Sequence, residues 1–188
     1  GVAGAMAHCD AENGPVAVDA RKALANDDYK TVAIWVGEKQ NKELRSAFDR
    51  AIAIYSMGDK TIASIQGMGD KAKELAEQYF METAVRLHRE AEGMPYTGLK
   101  PAQPLPEDIA EAETALKTGD LKPVTEMLAA EMEKKLEHVF KKARTAGQDK
   151  DKSLEAGREW ADAYVKYVIY VHGLYKAIQA GPAHGVGE

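Results

Sequence analysis

Two neighbouring residues near the start of the chain, His8 and Cys9, carry side chains that bind transition metals. An imidazole nitrogen and a thiolate sulfur suit copper, nickel or zinc better than magnesium or calcium. Residues 5–7 form an A-x-A pattern of the kind that signal peptidase cleaves, so residues 1–7 are predicted to be a signal-peptide remnant or a tag. Cleavage after this pattern would make His8 the first residue and add its free amine as a third donor. The same pattern predicts a periplasmic or secreted protein.

Two further histidines, His88 and His172, occupy matching positions in the two halves of the chain. Each lies beside an apolar stripe near the C-terminal part of a long predicted helix. If the halves pack symmetrically, the two imidazoles would face each other and complete a three- or four-ligand site. The predicted metal ligands are therefore His8, Cys9, His88 and His172, and the residues that could position them are Asp10, Glu12 and Tyr96.

A purely structural role, without any metal, is the alternative that the sequence leaves open for these residues. A histidine beside an apolar stripe is commonly hydrogen-bonded within the fold, and a single cysteine is often a small buried apolar side chain. Asp10 and Glu12 are acids at a helix start, where the helix dipole favours negative charge without any metal.

Several other chemistries are excluded by composition and motifs. The single cysteine excludes an intrachain disulfide framework and any four-cysteine cluster, and the absence of C-x-x-C-H excludes ordinary covalent haem. No glycine-rich nucleotide loop is present. The net charge of −5 and the pI near 5.6 leave no basic field for nucleic acid, and no apolar run approaches the roughly 20 residues of a membrane span.

Helical patterns dominate the elements that must position these residues. The 188-residue chain is 45% hydrophobic and 29% charged, which is typical of a globular domain. Residues 44, 48, 52 and 55 are apolar and fall on one face of a 3.6-residue period. Turn and capping signals predict helices over residues 15–25, 29–36, 41–57, 70–92, 107–117, 123–146 and 153–180, with a loop at 61–69.

The second half of the chain resembles the first. Residues 16–58 align without gaps on 108–150 with ten identities in 43 positions, and removal of about eight residues near the loop at 61–69 then aligns His88 with His172. The predicted fold class is therefore all-α: a helical bundle of two three-helix repeats, about 15–93 and 107–180, joined by a proline-rich crossover at 94–106.

Few large apolar residues occur in either repeat, so one shared core is predicted rather than two independent ones. The domain prediction is accordingly a single helical domain over residues 8–180. Residues 181–188 follow a Gly-Pro stop and are predicted to form a flexible tail.

Two motifs resemble those of an exported bacterial family. His8-Cys9-Asp10 followed by Gly14-Pro15-Val16, and the segment EGMPYTGLKP at residues 92–101, are similar to the motifs of uncharacterised exported bacterial proteins whose signal peptides end just before H-C-D. The resemblance covers nearly the whole chain and implies export and an all-helical fold, with no established activity. The loop at 96–101 is interpreted either as closing over the N-terminal site or as a rigid crossover.

The N-terminal segment also resembles the H-C-D-x-x-C-G hook of nickel superoxide dismutases. In that family the mature histidine supplies its amine and imidazole, and two cysteine thiolates complete the nickel site. Asn13 stands here in place of the second cysteine. The resemblance therefore implies at most a redox metalloenzyme of superoxide-dismutase-like type.

The leading hypothesis is an exported protein that binds copper, nickel or zinc through His8 and Cys9, with help from His88 and His172. The alternative is a metal-free helical bundle that binds a small molecule or a protein partner through a tyrosine-lined groove of the last helix. Those tyrosines are Tyr164, Tyr167, Tyr170 and Tyr175. The metal, the oligomeric state and any catalysis stay open.

Overall fold

A computed structural model of the chain describes residues 8–60 and 67–187, and this part of the chain is all-helical, as predicted. The predicted remnant at 1–7 and most of the predicted loop at 61–69 lie outside the described residues. The helices are α1 (Pro15–Asn26), α2 (Lys30–Ala33), α3 (Glu38–Lys60), α4 (Met68–Ala91), α5 (Glu107–Thr118), α6 (Lys122–Asp149) and α7 (Leu154–Ala180). No helix among the described residues combines the length and apolar character that a membrane crossing needs.

Local signals account for most of the helix ends. Pro15 occupies the first position of α1, where its missing N–H costs no hydrogen bond. The Ser153 hydroxyl caps α7 by accepting a hydrogen bond from the Ala156 N–H at 3.1 Å. Gly181 ends α7 with a positive φ of 67°. The helix predicted over residues 41–57 is expected to end at Gly58, and this is wrong: α3 continues to Lys60, because a single glycine in a helix costs only about 1 kcal/mol.

The chain divides into two compact units. Unit 1 comprises the chain up to Pro106 together with the C-terminal residues from His184, and unit 2 spans Glu107–Ala183. This boundary coincides with the end of the predicted crossover. The duplication and the single shared core stay predictions.

Unit 1 has a closed apolar core. Helices α3 and α4 pair as a long hairpin, and α1 packs across α4. A ladder of rings runs through the core, because Phe48 contacts both Tyr29 and Phe80 at centroid distances of 5.5 and 5.6 Å. Side chains that are almost fully buried around this ladder include Val16, Leu24, Val32, Leu44, Val85 and Leu87. The apolar residues Leu75, Tyr79, Val85 and Leu87 are the predicted buried positions of the helix at 70–92. Val85 and Leu87 are confirmed as buried, whereas the predictions for Leu75 and Tyr79 are wrong, since they are 70% and 40% exposed.

Unit 2 is more open. Helices α6 and α7 form a hairpin, and α5 packs on α6. Phe140 of α6 contacts Tyr167 of α7 at 5.6 Å between ring centroids, and Trp160 lies against Gly147. In the described part of this unit Ala143, at 8% exposed, is the one buried residue. The core of unit 2 is therefore thin for two helices of 28 and 27 residues.

Candidate functional site

The N-terminal segment and the crossover form a paired layer in unit 1. Residues 8–10 make a helical turn, and the Asp10 carbonyl then accepts a hydrogen bond from the Lys100 N–H at 2.7 Å. The Glu12 N–H donates to the Lys100 carbonyl at 2.9 Å. The side chain of Asn13 pairs with the backbone of Gln103 through a donated bond of 2.7 Å and an accepted bond of 3.2 Å. The loop at 96–101 thus lies directly beside the predicted metal-binding segment.

A tight turn holds this segment in place at Gly14. The Ala11 N–H lies 3.4 Å from the His8 carbonyl oxygen, and the Gly14 N–H donates to the Ala11 carbonyl at 2.9 Å. A Cβ atom on Gly14 would overlap the His8 carbonyl oxygen. The φ of −75° is available to any residue, so close backbone approach is the reason that this position requires glycine.

Gly14→Ala is expected to lower the free energy of unfolding by about 1–3 kcal/mol, because the backbone of residues 8–14 must shift to accept the methyl group. Gly173→Ala is the matched control. Gly173 lies inside α7 with open space around its Cβ position, so alanine there is expected to stabilise by about 0.5–1 kcal/mol. Urea denaturation of both variants measures the two effects, and equal effects would refute the steric explanation.

Asp10 forms a buried ion pair with Arg89 near the end of α4. Arg89 donates from Nε and Nη2 to the two carboxylate oxygens at 2.5 and 2.7 Å, and both residues are 3% exposed. The hydrogen bond to Asp10 is the largest cause that raises the pKa of Arg89. The guanidinium is therefore charged at all ordinary pH values, and the pair joins residues 79 positions apart.

His88 is buried on α4 with its ring orientation fixed. Its Nδ1 lies 2.7 Å from the Trp35 carbonyl oxygen, so the proton sits on Nδ1 and is donated there. The Trp35 indole meets the imidazole edge at a centroid distance of 5.8 Å and itself donates to Asp19 at 2.8 Å. His88 is 1% exposed, and its Nε2 has no hydrogen-bond partner among the described residues.

A carboxylate faces this orphaned nitrogen. Glu92 Oε1 lies 3.5 Å from His88 Nε2 and 3.6 Å from His184 Nε2, while Glu92 Oε2 lies 3.3 Å from Arg89 Nη1. A neutral imidazole with its proton on Nδ1 and a carboxylate both present lone pairs across that 3.5 Å gap. A proton or a cation between them would satisfy both groups. We call His88, Glu92 and His184 the His–Glu cluster.

His184 is the member that the sequence patterns do not predict, since it lies in the predicted tail. The Gly187 N–H donates to the Ala91 carbonyl at 3.0 Å, and Gly187 packs against Gly37. These contacts bring residues 184–187 to the end of α4 in unit 1. No local pattern marks a histidine between glycines and alanines as part of a site.

His8, Cys9 and His172 are the other predicted metal ligands. His8 and Cys9 are half-buried and precede Asp10, so they lie in the same segment that Arg89 holds. His172 is exposed on α7 in unit 2, and its predicted pairing with His88 stays a prediction.

Tyr96 and Glu12 stand in the paired layer itself. Tyr96 is partly buried and packs against the core of unit 1. Burial is the largest cause that raises its pKa, and the negative charge of Glu82 raises it further. The Glu12 carbonyl accepts a hydrogen bond from Arg21 at 2.8 Å. Across residues 8–60 and 67–187, no group of three or more His, Cys, Asp or Glu side chains already stands in an arrangement that could hold a metal.

The chain belongs to DUF6448, a family of unknown function whose model matches residues 13–170. This confirms the expectation of an uncharacterised family. Neither the search of curated proteins nor that of solved structures finds a match. The family match begins after Asp10 and therefore does not include His8 or Cys9.

Proposed function

We propose that this chain is an exported protein that binds a transition-metal ion at the His–Glu cluster of unit 1. The observation that carries the proposal is the buried His88 Nε2, which lacks a hydrogen-bond partner among the described residues and faces a carboxylate oxygen. Burying a polar atom without a partner is costly unless something else satisfies it. A metal ion bound between the imidazole and the carboxylate satisfies both groups at once.

The distances support this interpretation. Ligand atoms bound about 2.0–2.1 Å from a four-coordinate ion lie roughly 3.4 Å from one another. Glu92 Oε1 lies 3.5 and 3.6 Å from the two imidazole nitrogens, which is close to that separation. The hydrogen bond from His88 Nδ1 to a backbone carbonyl is also the contact that orients metal-binding histidines in general.

Binding requires a small rearrangement, because the cluster is not yet a three-ligand set. His184 is the side chain that can move: it is 33% exposed and lies in a short C-terminal segment. The N-terminal segment is tied to the cluster, since Arg89 contacts both Asp10 and Glu92. With nitrogen and oxygen ligands the site suits zinc, copper or nickel, and a thiolate from Cys9 would strengthen that preference.

A dismutase reaction forms no part of this proposal. The nickel-dismutase hook needs a second thiolate at the position of Asn13, and the Asn13 amide is engaged with the backbone of Gln103. The proposed function is therefore metal binding without a stated reaction.

Isothermal titration of the metal-free full chain with zinc, copper and nickel tests the proposal. We expect about one ion per chain and at least tenfold weaker binding in His184→Ala. His138→Ala, which removes an exposed histidine of α6, is the matched control and is expected to bind as the wild type does. Equal affinity in the wild type and His184→Ala, or no binding at all, would overturn the proposal.

Cys9→Ala tests whether the Cys9 thiolate binds the metal together with the His–Glu cluster. Weaker binding in this variant assigns the thiolate to the site, and unchanged binding removes Cys9 from it while leaving the His–Glu cluster intact.

The intact mass of the protein recovered from the periplasm or medium, after expression from its full gene, tests export and a mature start at His8. Recovery from the cytoplasm alone would refute export.

A further inference from the structure

Residues 184–187 form a short non-helical segment that docks on unit 1 at the end of α4. We call this segment the strap. At its start, His184 places Nε2 3.6 Å from Glu92 Oε1, and at its end the Gly187 N–H donates to the Ala91 carbonyl at 3.0 Å. The strap is therefore held at both ends beside the His–Glu cluster.

The hydrogen bond from Gly187 satisfies a backbone group that α4 leaves open. The last four carbonyls of a helix have no partner within it. In α4 the carbonyls of residues 88–90 accept hydrogen bonds from the N–H groups of residues 92–94, which directly follow the helix. The Ala91 carbonyl instead accepts the Gly187 N–H, so the docked strap completes the C-terminal cap of α4.

Two glycines allow the strap to approach unit 1 this closely. A Cβ atom on Gly37, the residue before α3, would lie 3.0 Å from the Cα of Gly187, and a Cβ atom on Gly187 would lie 3.3 Å from the Cα of Gly37. Gly187 also has a φ of 80°, which residues with a side chain rarely adopt. Any larger residue at either position would therefore hinder docking, and we call this pair the glycine latch.

The contacts that hold the strap lie at the surface. Residues 184, 186 and 187 are exposed, and residues 181–183, which connect the strap to α7, are exposed and non-helical. A partly exposed ionic contact and a backbone hydrogen bond each contribute little net stability, and ordering the segment costs conformational entropy. Opening of the strap is therefore easy, whereas His88 is fixed inside unit 1.

The strap lies on the solvent side of the His–Glu cluster. The exposed fraction of the side chain rises from 2% at His88 through 12% at Glu92 to 33% at His184. Glu92 Oε1 lies between the two imidazoles, since it is 3.5 Å from His88 Nε2 and 3.6 Å from His184 Nε2. An ion that approaches the buried His88 nitrogen past Glu92 therefore meets the strap first.

We propose that the strap is a reversible lid on the metal site and that the glycine latch holds it closed. The proposal rests on the metal binding proposed above and adds how the ion is admitted and retained. The strap opens for entry, and its docking then brings His184 onto an ion held by His88 and Glu92. Because a bound ion favours the closed strap, closing of the strap must favour binding to the same degree.

Zinc titration of Gly187→Val in the full chain tests the latch. The variant keeps His88, Glu92 and His184 but places a branched side chain in the glycine contact. We expect it to bind zinc at least tenfold more weakly than the wild type and to release zinc at least tenfold faster to excess chelator. Gly187 is exposed, so the change is not expected to impair the folding of unit 1.

Gly37→Ala blocks the latch from the other side and is expected to weaken zinc binding in the same direction. Its Cβ atom would also lie 3.1 Å from Gln40 Oε1, so Gly187→Val is the cleaner of the two variants. Gly173→Ala is the matched control, because nothing lies within 4 Å of its Cβ position. It is expected to bind and release zinc as the wild type does.

Amide hydrogen exchange of Gly187, followed by NMR in the metal-free and zinc-loaded wild type, measures docking without any substitution. We expect at least tenfold slower exchange with zinc, because the Gly187 N–H donates to the Ala91 carbonyl when the strap is docked.

The outcomes separate this proposal from metal binding itself. Zinc binding that is equally tight in the wild type, Gly187→Val and Gly37→Ala overturns the role of the strap and leaves the metal site in place. Exchange at Gly187 that zinc does not slow has the same meaning. A wild type that binds no zinc, copper or nickel overturns the metal site, and the role of the strap with it.

Discussion

Replacing Arg89 with methionine is expected to lower the free energy of unfolding of unit 1 by about 3–5 kcal/mol, because the Asp10 carboxylate is left buried without a counter-charge. Trp35 and Trp160 are the two tryptophans of the chain and lie in different units, so a Trp160→Phe background makes fluorescence report unit 1 alone. Urea denaturation in that background measures the loss without assuming that both units unfold together.

The double variant Asp10→Leu/Arg89→Met tests whether the loss of stability comes from the unpaired Asp10 carboxylate or from the lost packing of the Arg89 side chain. It removes both charges and is expected to recover most of the stability, since apolar replacement of a buried pair is often neutral or stabilising. Lys166→Met is the surface control: it breaks the exposed pair with Asp162 and is expected to cost at most about 1 kcal/mol. A double variant as unstable as Arg89→Met would show that the Asp10–Arg89 pair is not the cause, and that the loss comes from the packing of Arg89 or from its contact with Glu92.

Phe80→Ala is expected to destabilise unit 1 by about 3–5 kcal/mol, because Phe80 is fully buried and ends the ring ladder that begins at Tyr29. Removing the ring deletes its contact with Phe48 of α3 and leaves a cavity in the core of unit 1. The same fluorescence-detected urea denaturation measures the effect.

Leu75→Ala on the same helix is the matched control for Phe80→Ala. Leu75 is 70% exposed, and alanine is the best helix former, so the change is expected to alter stability by no more than about 0.5 kcal/mol. A loss at Leu75 comparable to that at Phe80 would mean that the solvent side of α4 is covered in solution.

The Arg89 variant also bears on the proposed metal site. Arg89 holds both Asp10 and Glu92, so it positions the N-terminal segment and the carboxylate of the His–Glu cluster together. Stability and metal affinity must therefore be measured separately in any variant of this region. His184→Ala is the cleaner test of binding, because its side chain lies at the edge of unit 1 and is partly exposed.

The helical class and most helix ends follow from local chemistry. Ser153 and Gly181 act on backbone groups within four residues of themselves, and the breaks at residues 26–28 and 118–120 arise from short polar and glycine-containing turns. Such interactions depend on near neighbours only, so they can be predicted from the sequence alone. The period of apolar residues likewise placed Leu44 and Phe48 on the buried side of α3.

Burial on α4 was predicted less well, because periodicity identifies a helix face without saying what covers it. Val85 and Leu87 are fully buried in the core of unit 1, whereas Leu75, nearer the start of the same helix, is 70% exposed. Which part of an apolar helix is buried depends on the length and path of the chain that returns to it.

Local patterns were sufficient to predict the all-α class, the non-helical proline-rich segment before Pro106, and His8, Cys9 and His88 as candidate site residues. The long-range contacts could not be predicted in this way: Arg89 pairs with Asp10 across 79 positions, the Trp35 carbonyl orients His88 across 53, and His184 reaches Glu92 from the C-terminal segment. The physical reason is that a buried imidazole or carboxylate must be satisfied by whichever group the fold brings near, and distance along the chain does not limit that choice.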